Sequence, residues 1–158
     1  SIGAVKIKAN KVDIRNKFER FVKPKNADMI AEAIKIHHIR KIDLEDAEDI
    51  DLVIKEFLDF IGNRPLVGYY LSFDMAMVNK YIKPKIGITL PNDTYEVSSM
   101  YYDKVSKYHN IDIDLRFNTI MKNLDLPFMI AHDATNDAIM TAMMYIKLNN
   151  IETLTIRR

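Results

Sequence analysis

"AHDATNDAIMTAMM", residues 131–144, carries most of its length in Ala, Met, Ile and Thr, the composition of a helix buried on nearly every side. It nevertheless opens with His132, Asp133 and Asp137. On a helix, Asp137, Thr141, Met144, Tyr145 and Leu148 fall on one face by the i, i+4, i+7 rule, and that face continues as an apolar stripe. A carboxylate at the head of such a stripe stands where water is scarce, and an isolated buried charge costs several kcal/mol. Something positive is expected beside Asp137.

The rest of the chain supplies the setting. Its 158 residues, 48% hydrophobic, suffice for one compact domain spanning 1–158 with a substantial core. Lys and Arg number 23 against 22 Asp and Glu, so a net charge of +1 exerts no global pull on nucleic acid or membrane, and any such site must be local. Cysteine is absent, which excludes disulfides and thiolate metal sites and is compatible with a cytoplasmic location. No apolar run approaches the ~18 residues of a membrane span, and the N-terminus lacks the pattern of a signal peptide.

"SIGAVKIKANKVDIRNKFERFVKP" (1–24) alternates apolar with polar residues and predicts antiparallel strands turning near Ala9 to Lys11. Helical spacing follows over Ala27 to Ile36 and from about Glu45 to Ile61, with Val53, Phe57 and Phe60 facing inward. "RPLVGYYL" (64–71) predicts a buried strand, and "SFDMAMVNKYI" (72–82) a helix with Ser72 as N-cap and Asp74 in its first turn. A loop is expected to hold Pro84, Gly87 and Pro91. "TYEVSSMYY" (94–102) reads as a strand running into a helix, with further helices around "LRFNTIMKNL" (115–124) and from about 133 to 149. Strands first, then alternating helices and strands, indicate an α/β domain with a mixed sheet.

Asp74 follows the carboxyl end of a strand and opens a helix, where open α/β sheets place ligand groups, although acids near a helix start are also common for capping alone. His132, in the loop before the last helix, can point into the same cleft as Asp137. A loop histidine satisfied by backbone is its plainer reading, and a lysine partner that of Asp137. Asp112 and Asp114 in "IDIDL" read as a loop with Asp114 as N-cap. "DLEDAEDID" (43–51), six acids in nine residues, reads as the solvated start of a surface helix rather than a cation site.

Three separated segments, "EAIKIHHI" (32–39), "LVGYYLSFDMAMVN" (66–79) and "AHDATNDAIMTAMMYIKL" (131–148), resemble in order and spacing the DnaQ-like 3′-5′ exonucleases, the proofreading subunit of bacterial DNA polymerase III among them. "SIGAVKI", "FVKP" and "RFNTIMKNLDLPF" extend the resemblance over nearly the whole chain. It implies a ribonuclease H-like fold in which four acidic residues bind two divalent ions, magnesium or manganese, and a histidine acts as general base. On the matching positions, Asp74 and Asp137 are the expected metal carboxylates and His132 the expected base. His37 and Phe73 fall where the family meets nucleic acid, and a ring at such a place can stack on any base. The implied partners are a DNA 3′ end and a DNA polymerase subunit, with no membrane. Against that charged pair of ions Asp137 would have its positive neighbour.

Two departures stand out. Tyr69-Tyr70 replace the family's His-Asn, and the first motif, an Asp-x-Glu on the strand preceding "IGAV", does not occur. The expectation is that the native polypeptide extends upstream of Ser1 by roughly 15 to 25 residues, enough for one strand and a turn. Two other readings stay open: a catalytically silent nucleic-acid-binding or scaffold domain of the same fold, and an exonuclease that trims RNA.

Overall fold

The computed structural model describes residues 1–23, 47–106, 112–130 and 133–154. The chain opens with a hairpin of β1 (Ile2–Lys8) and β2 (Lys11–Arg20), paired antiparallel. Its turn falls where expected: Ala9 and Asn10 take φ of 50° and 58°, the left-handed pair that matches the twist of a two-residue hairpin loop. The register shifts between Val5 and Lys6, so a stretch of β2 bulges and turns Ile14 out to solvent.

Helix α1 (Ile50–Ile61) starts later than the periodicity predicts, because Asp49 rather than Glu45 sets its beginning: the Asp49 carboxylate accepts the Asp51 amide at 2.8 Å. Of the acidic run, Asp51 pairs with Lys85 on the surface at 2.6 Å, in keeping with a solvated helix start. Ile50, Val53, Ile54, Phe57 and Ile61 form the buried stripe, with Phe57 edge-on to Phe18 of β2 at 5.5 Å, while Phe60 is partly buried beside it. Each such large side chain taken from water contributes roughly 1.5–3 kcal/mol. The helix expected over 27–36 lies outside the described residues.

Strand β3 (Leu66–Gly68) leads into α2 (Leu71–Ile86), and β4 (Thr94–Glu96) pairs parallel with β3 before α3 (Val97–Ser106). Pro84 lies inside α2 rather than in the loop, which begins at Gly87 with φ 79°. The bond that Pro84 cannot donate is one near the end of the helix, where its loss disturbs little of the ladder. Helix α4 (Phe117–Asn123) is capped at Arg116, not Asp114. Asp114 braces the turn from two residues upstream by accepting the Arg116 amide, the Arg116 guanidinium and the Thr119 hydroxyl, and these bonds hold its carboxyl well below the usual range.

The last helix, α5 (Ala134–Asn149), has the extent that the sequence predicts, with the Asp133 carboxylate accepting the Asn136 amide at 2.8 Å. Its Met140, Met144 and Leu148 are buried against Val97, Tyr101 and Val105 of α3 and Ile120, Met121 and Leu124 of or beside α4. Tyr101, fully buried, is satisfied by the Asn123 amide at 2.6 Å. On its other side α5 packs on β1, β2 and β3. The approach to β1 is closest at Gly3, where a Cβ would overlap the Ala134 carbonyl group and come within 2.6 Å of the Thr135 nitrogen. Only glycine lets the two backbones meet there.

Both senses of pairing occur in this α/β fold, antiparallel in β1-β2 and parallel in β3-β4, but among the described residues the strands form two separate pairs rather than one sheet. Between them runs a trough of about 2300 Å³ lined by the whole of β1, by β3 and by faces of α1, α2 and α5. Small-molecule pockets measure about 300–1,000 Å³, so this space is larger than those.

Candidate active site

Asp74 stands in the first turn of α2 and Asp137 in the first turn of α5, and both line the trough. The segments resembling the second and third motifs therefore both contribute to the lining of this trough. Asp137 is half-buried, with its amide donating to the Asp133 carbonyl at 2.9 Å, and Thr141 and Tyr145 of its face line the same wall. Asp74 is open to solvent on one side, yet partial burial first, and the negative charge of Glu96 second, push its carboxyl above the ordinary range. Phe73 turns a ring that is 59% exposed toward the trough. His132 and His37 lie outside the described residues.

The strand end at Tyr69-Tyr70 accommodates its two phenols in different ways. Tyr69 is structural: its hydroxyl donates to the Leu115 carbonyl at 3.0 Å and its ring meets Phe117 edge-on at 5.1 Å. Tyr70 is the first capping residue of α2, with φ 57° and ψ 37° and a ring 70% exposed. A non-glycine residue in that left-handed region is strained by roughly 1 kcal/mol. Its side chain makes no cap, and Ser72, the expected cap, lies within the helix.

Glu96 takes over that task. It ends β4 opposite Gly68 and accepts the Tyr70 amide at 3.0 Å and the Leu71 amide at 2.8 Å, together with the amide (3.1 Å) and hydroxyl (2.7 Å) of Ser98. Desolvation pushes the Glu96 carboxyl up, but the bonds from Ser98, Leu71 and Tyr70 outweigh it and hold the group below its ordinary value. Sequence reasoning passed over this residue. The signal was present in "TYEVSS", an acid at the carboxyl end of a strand that opens a helix, the same grammar that singled out Asp74.

The donors suit a hard divalent cation: two carboxylates line the trough, one of them with its ionised form disfavoured until a positive charge arrives. Among the described residues no group of three or more acids or histidines converges closely enough to hold an ion alone.

A family model described as "Exonuclease" matches residues 1–145, which takes in both carboxylates and every described strand. The chain belongs to this exonuclease family. The resemblance read from the three segments is thereby borne out at the level of family. Among curated relatives, the exonuclease domain is 30% identical over 151 residues to "DNA polymerase III PolC-type" of Bacillus cereus and 31% identical over 150 residues to that of Caldanaerobacter subterraneus subsp. tengcongensis. In each case the match takes in 93% of this chain but 10% of the relative, so the domain spans about a tenth of the length of these proteins. Among solved structures, that of cell-death related nuclease 4 superposes with a TM-score of 0.69 at 17% identity, over 89% of this chain and 52% of that one. That likeness agrees with the ribonuclease H-like arrangement of the exonuclease domain. No helix among its described residues is long and apolar enough to cross a membrane.

Proposed function

We propose that this domain, residues 1–158 acting as one unit, removes nucleotides one at a time from the 3′ end of DNA by divalent-metal-dependent hydrolysis, in proofreading or repair. The placement of Asp74 and Asp137 along one trough within an exonuclease-family fold supports the reading. Magnesium or manganese, when bound, supplies water activation and neutralisation of phosphate charge. Asp74 and Asp137 hold the ion, and the helix N-termini beneath them add positive partial charge facing the phosphate. Phe73, with its ring open to the trough, offers a stacking surface that tolerates any base, and His37 is assigned to the same terminal nucleotide. His132 accepts the proton of the attacking water. Relatives that are DNA polymerases support a polymerase partner, and with it a cytoplasmic setting.

The test is digestion of 3′-labelled and 5′-labelled oligonucleotides, DNA and RNA, with magnesium. Release of labelled mononucleotide from the 3′ label and a descending ladder from the 5′ label, faster on DNA, are expected. A faster RNA ladder makes the domain an RNA-trimming enzyme, and binding without cleavage by the complete protein makes it a silent nucleic-acid-binding domain.

If His132 is the base it must be neutral, so turnover falls as pH drops through its pKa in the substrate complex, from an ordinary value of about 6.5. His132→Ala should slow the reaction and flatten that acid limb. An unchanged limb at an unchanged rate removes the histidine from the mechanism.

Two ions about 4 Å apart carry four positive charges, whereas Asp74 and Asp137 supply two negative ones, so a two-ion site needs further carboxylates. Manganese titration of the complete protein checks this: two ions bound per molecule support the pair, and one or none refutes it.

A further inference from the structure

The geometry points to Glu96 as the positioning residue of this site: its carboxylate substitutes for the capping side chain that α2 lacks, and so fixes the helical turn that carries Asp74. The inference rests on the metal-dependent reading above and adds to it a residue outside the motif resemblance.

An α-helix leaves its first amides without internal partners, and a residue at the cap normally satisfies one of them from its own side chain. The Tyr70 side chain makes no such bond. Glu96 reaches across from the neighbouring strand with both oxygens, one on the Tyr70 amide and the other on the Leu71 amide. A carboxylate gripping two amides in this way makes charge-assisted bonds, stronger than those of a neutral cap. The same group also holds the Ser98 amide and hydroxyl at the start of α3. It therefore ties together two helix starts at the carboxyl ends of two parallel strands.

Two consequences meet at Asp74. The Tyr70 carbonyl accepts the Phe73 amide at 3.0 Å, so the backbone clamped by Glu96 is the one that closes the turn from which Asp74 projects. The left-handed conformation of Tyr70 is also held by that clamp, since a strained residue persists only where its surroundings over-determine it. Release of the clamp lets Tyr70 relax and the first turn of α2 fray. A metal carboxylate on a frayed turn loses its fixed direction, and groups that orient such ligands typically govern affinity or activity by about 10–100-fold.

The experiment compares Glu96→Ala and Glu96→Gln with the unsubstituted complete protein by amide hydrogen exchange, by manganese titration followed through the spectrum of the free ion, and by turnover on a 3′-labelled oligonucleotide. In Glu96→Ala the Tyr70 and Leu71 amides should exchange about tenfold faster or more, having lost charge-assisted bonds. Manganese affinity and kcat should fall by about 10–100-fold while KM for the oligonucleotide changes little, because Glu96 does not meet the substrate. Glu96→Gln keeps the shape and one acceptor oxygen and should recover part of each loss. Unchanged exchange in Glu96→Ala overturns the clamp. Faster exchange with unaltered manganese binding and kcat overturns the positioning role and leaves Glu96 a helix cap alone. If the unsubstituted protein itself binds no manganese, the metal-dependent reading fails, and the positioning role fails with it.

Discussion

Asp74→Asn in the complete protein should reduce metal-dependent turnover by at least about 100-fold and yet leave the metal-free protein as stable as before, or more so. The first half follows from the loss of a charged oxygen that binds the ion. The second follows from the raised pKa, which arises from partial burial and from Glu96. A carboxyl whose folded-state pKa exceeds its unfolded value binds its proton more tightly in the folded protein. The stability this confers is fully present below the unfolded value of about 3.9 and is lost as pH rises through the folded pKa. At neutral pH the ionised Asp74 therefore opposes folding until a cation joins it, and asparagine removes that opposition. Melting curves with and without magnesium read both halves together: the substitution should abolish the upward shift that the ion produces, without lowering the metal-free midpoint. Asp137→Asn should lose turnover to a like extent. Unaltered turnover at saturating magnesium would remove either residue from the site, and a metal-free protein weakened by Asp74→Asn would contradict the electrostatic account.

Gly3→Ala is expected to have the largest effect on stability of any single methyl addition described above. The new Cβ would collide with backbone atoms of Ala134 and Thr135 rather than with a side chain that could swing aside. Overpacking typically costs 1–3 kcal/mol, and a clash between two backbones belongs at the top, about 3 kcal/mol. For a domain of this size that corresponds to a fall of roughly 6–12 °C in Tm. The displaced element is the first turn of α5, which carries Asp137. A shift of about 1 Å in a reacting group can cost on the order of 100-fold in rate, so turnover should drop even at temperatures where the variant remains folded. An unaltered Tm would show that β1 and α5 stand further apart than described.

The parts of the fold that were legible in the sequence are those fixed locally. Alternating apolar residues broken at Ala9 to Lys11 marked a hairpin, and the turn lies there because two successive left-handed residues close it. The helix read from about 133 to 149 begins at Ala134, where the Asp133 carboxylate accepts the Asn136 amide. Asp74 in a first helical turn followed from a strand end meeting a helical run. What escaped was fixed by contacts distant in sequence. Ser72 has the chemistry of a cap, but α2 begins one residue before it because Glu96, on another strand, supplies the capping oxygens. Pro84 normally signals a loop, and α2 continues through it to Ile86. Asp114 has the chemistry of a cap as well, yet its bonds to Arg116 place it two positions outside the helix it braces. Of the candidate site, Asp74, Asp137 and Phe73 all line the one trough, and Glu96 was out of reach because its contacts exist only once β3 and β4 lie side by side.

The meeting of Gly3 with Ala134 also bears on the order in which the chain can fold. The hairpin pairs residues close in sequence through a two-residue turn, whereas its seat on α5 joins β1 to a helix far along the chain. Contacts so far apart in the chain carry a large loop-closure entropy and tend to form late. During synthesis from the N-terminus, the hairpin, α1 and α2 emerge well before α5 exists to cover them. Asp137 belongs to that helix, so the two carboxylates line one trough only after this long-range docking is complete. A nascent chain thus carries half of its acidic pair, and acquires the other half in the same step that buries the methionine face of α5.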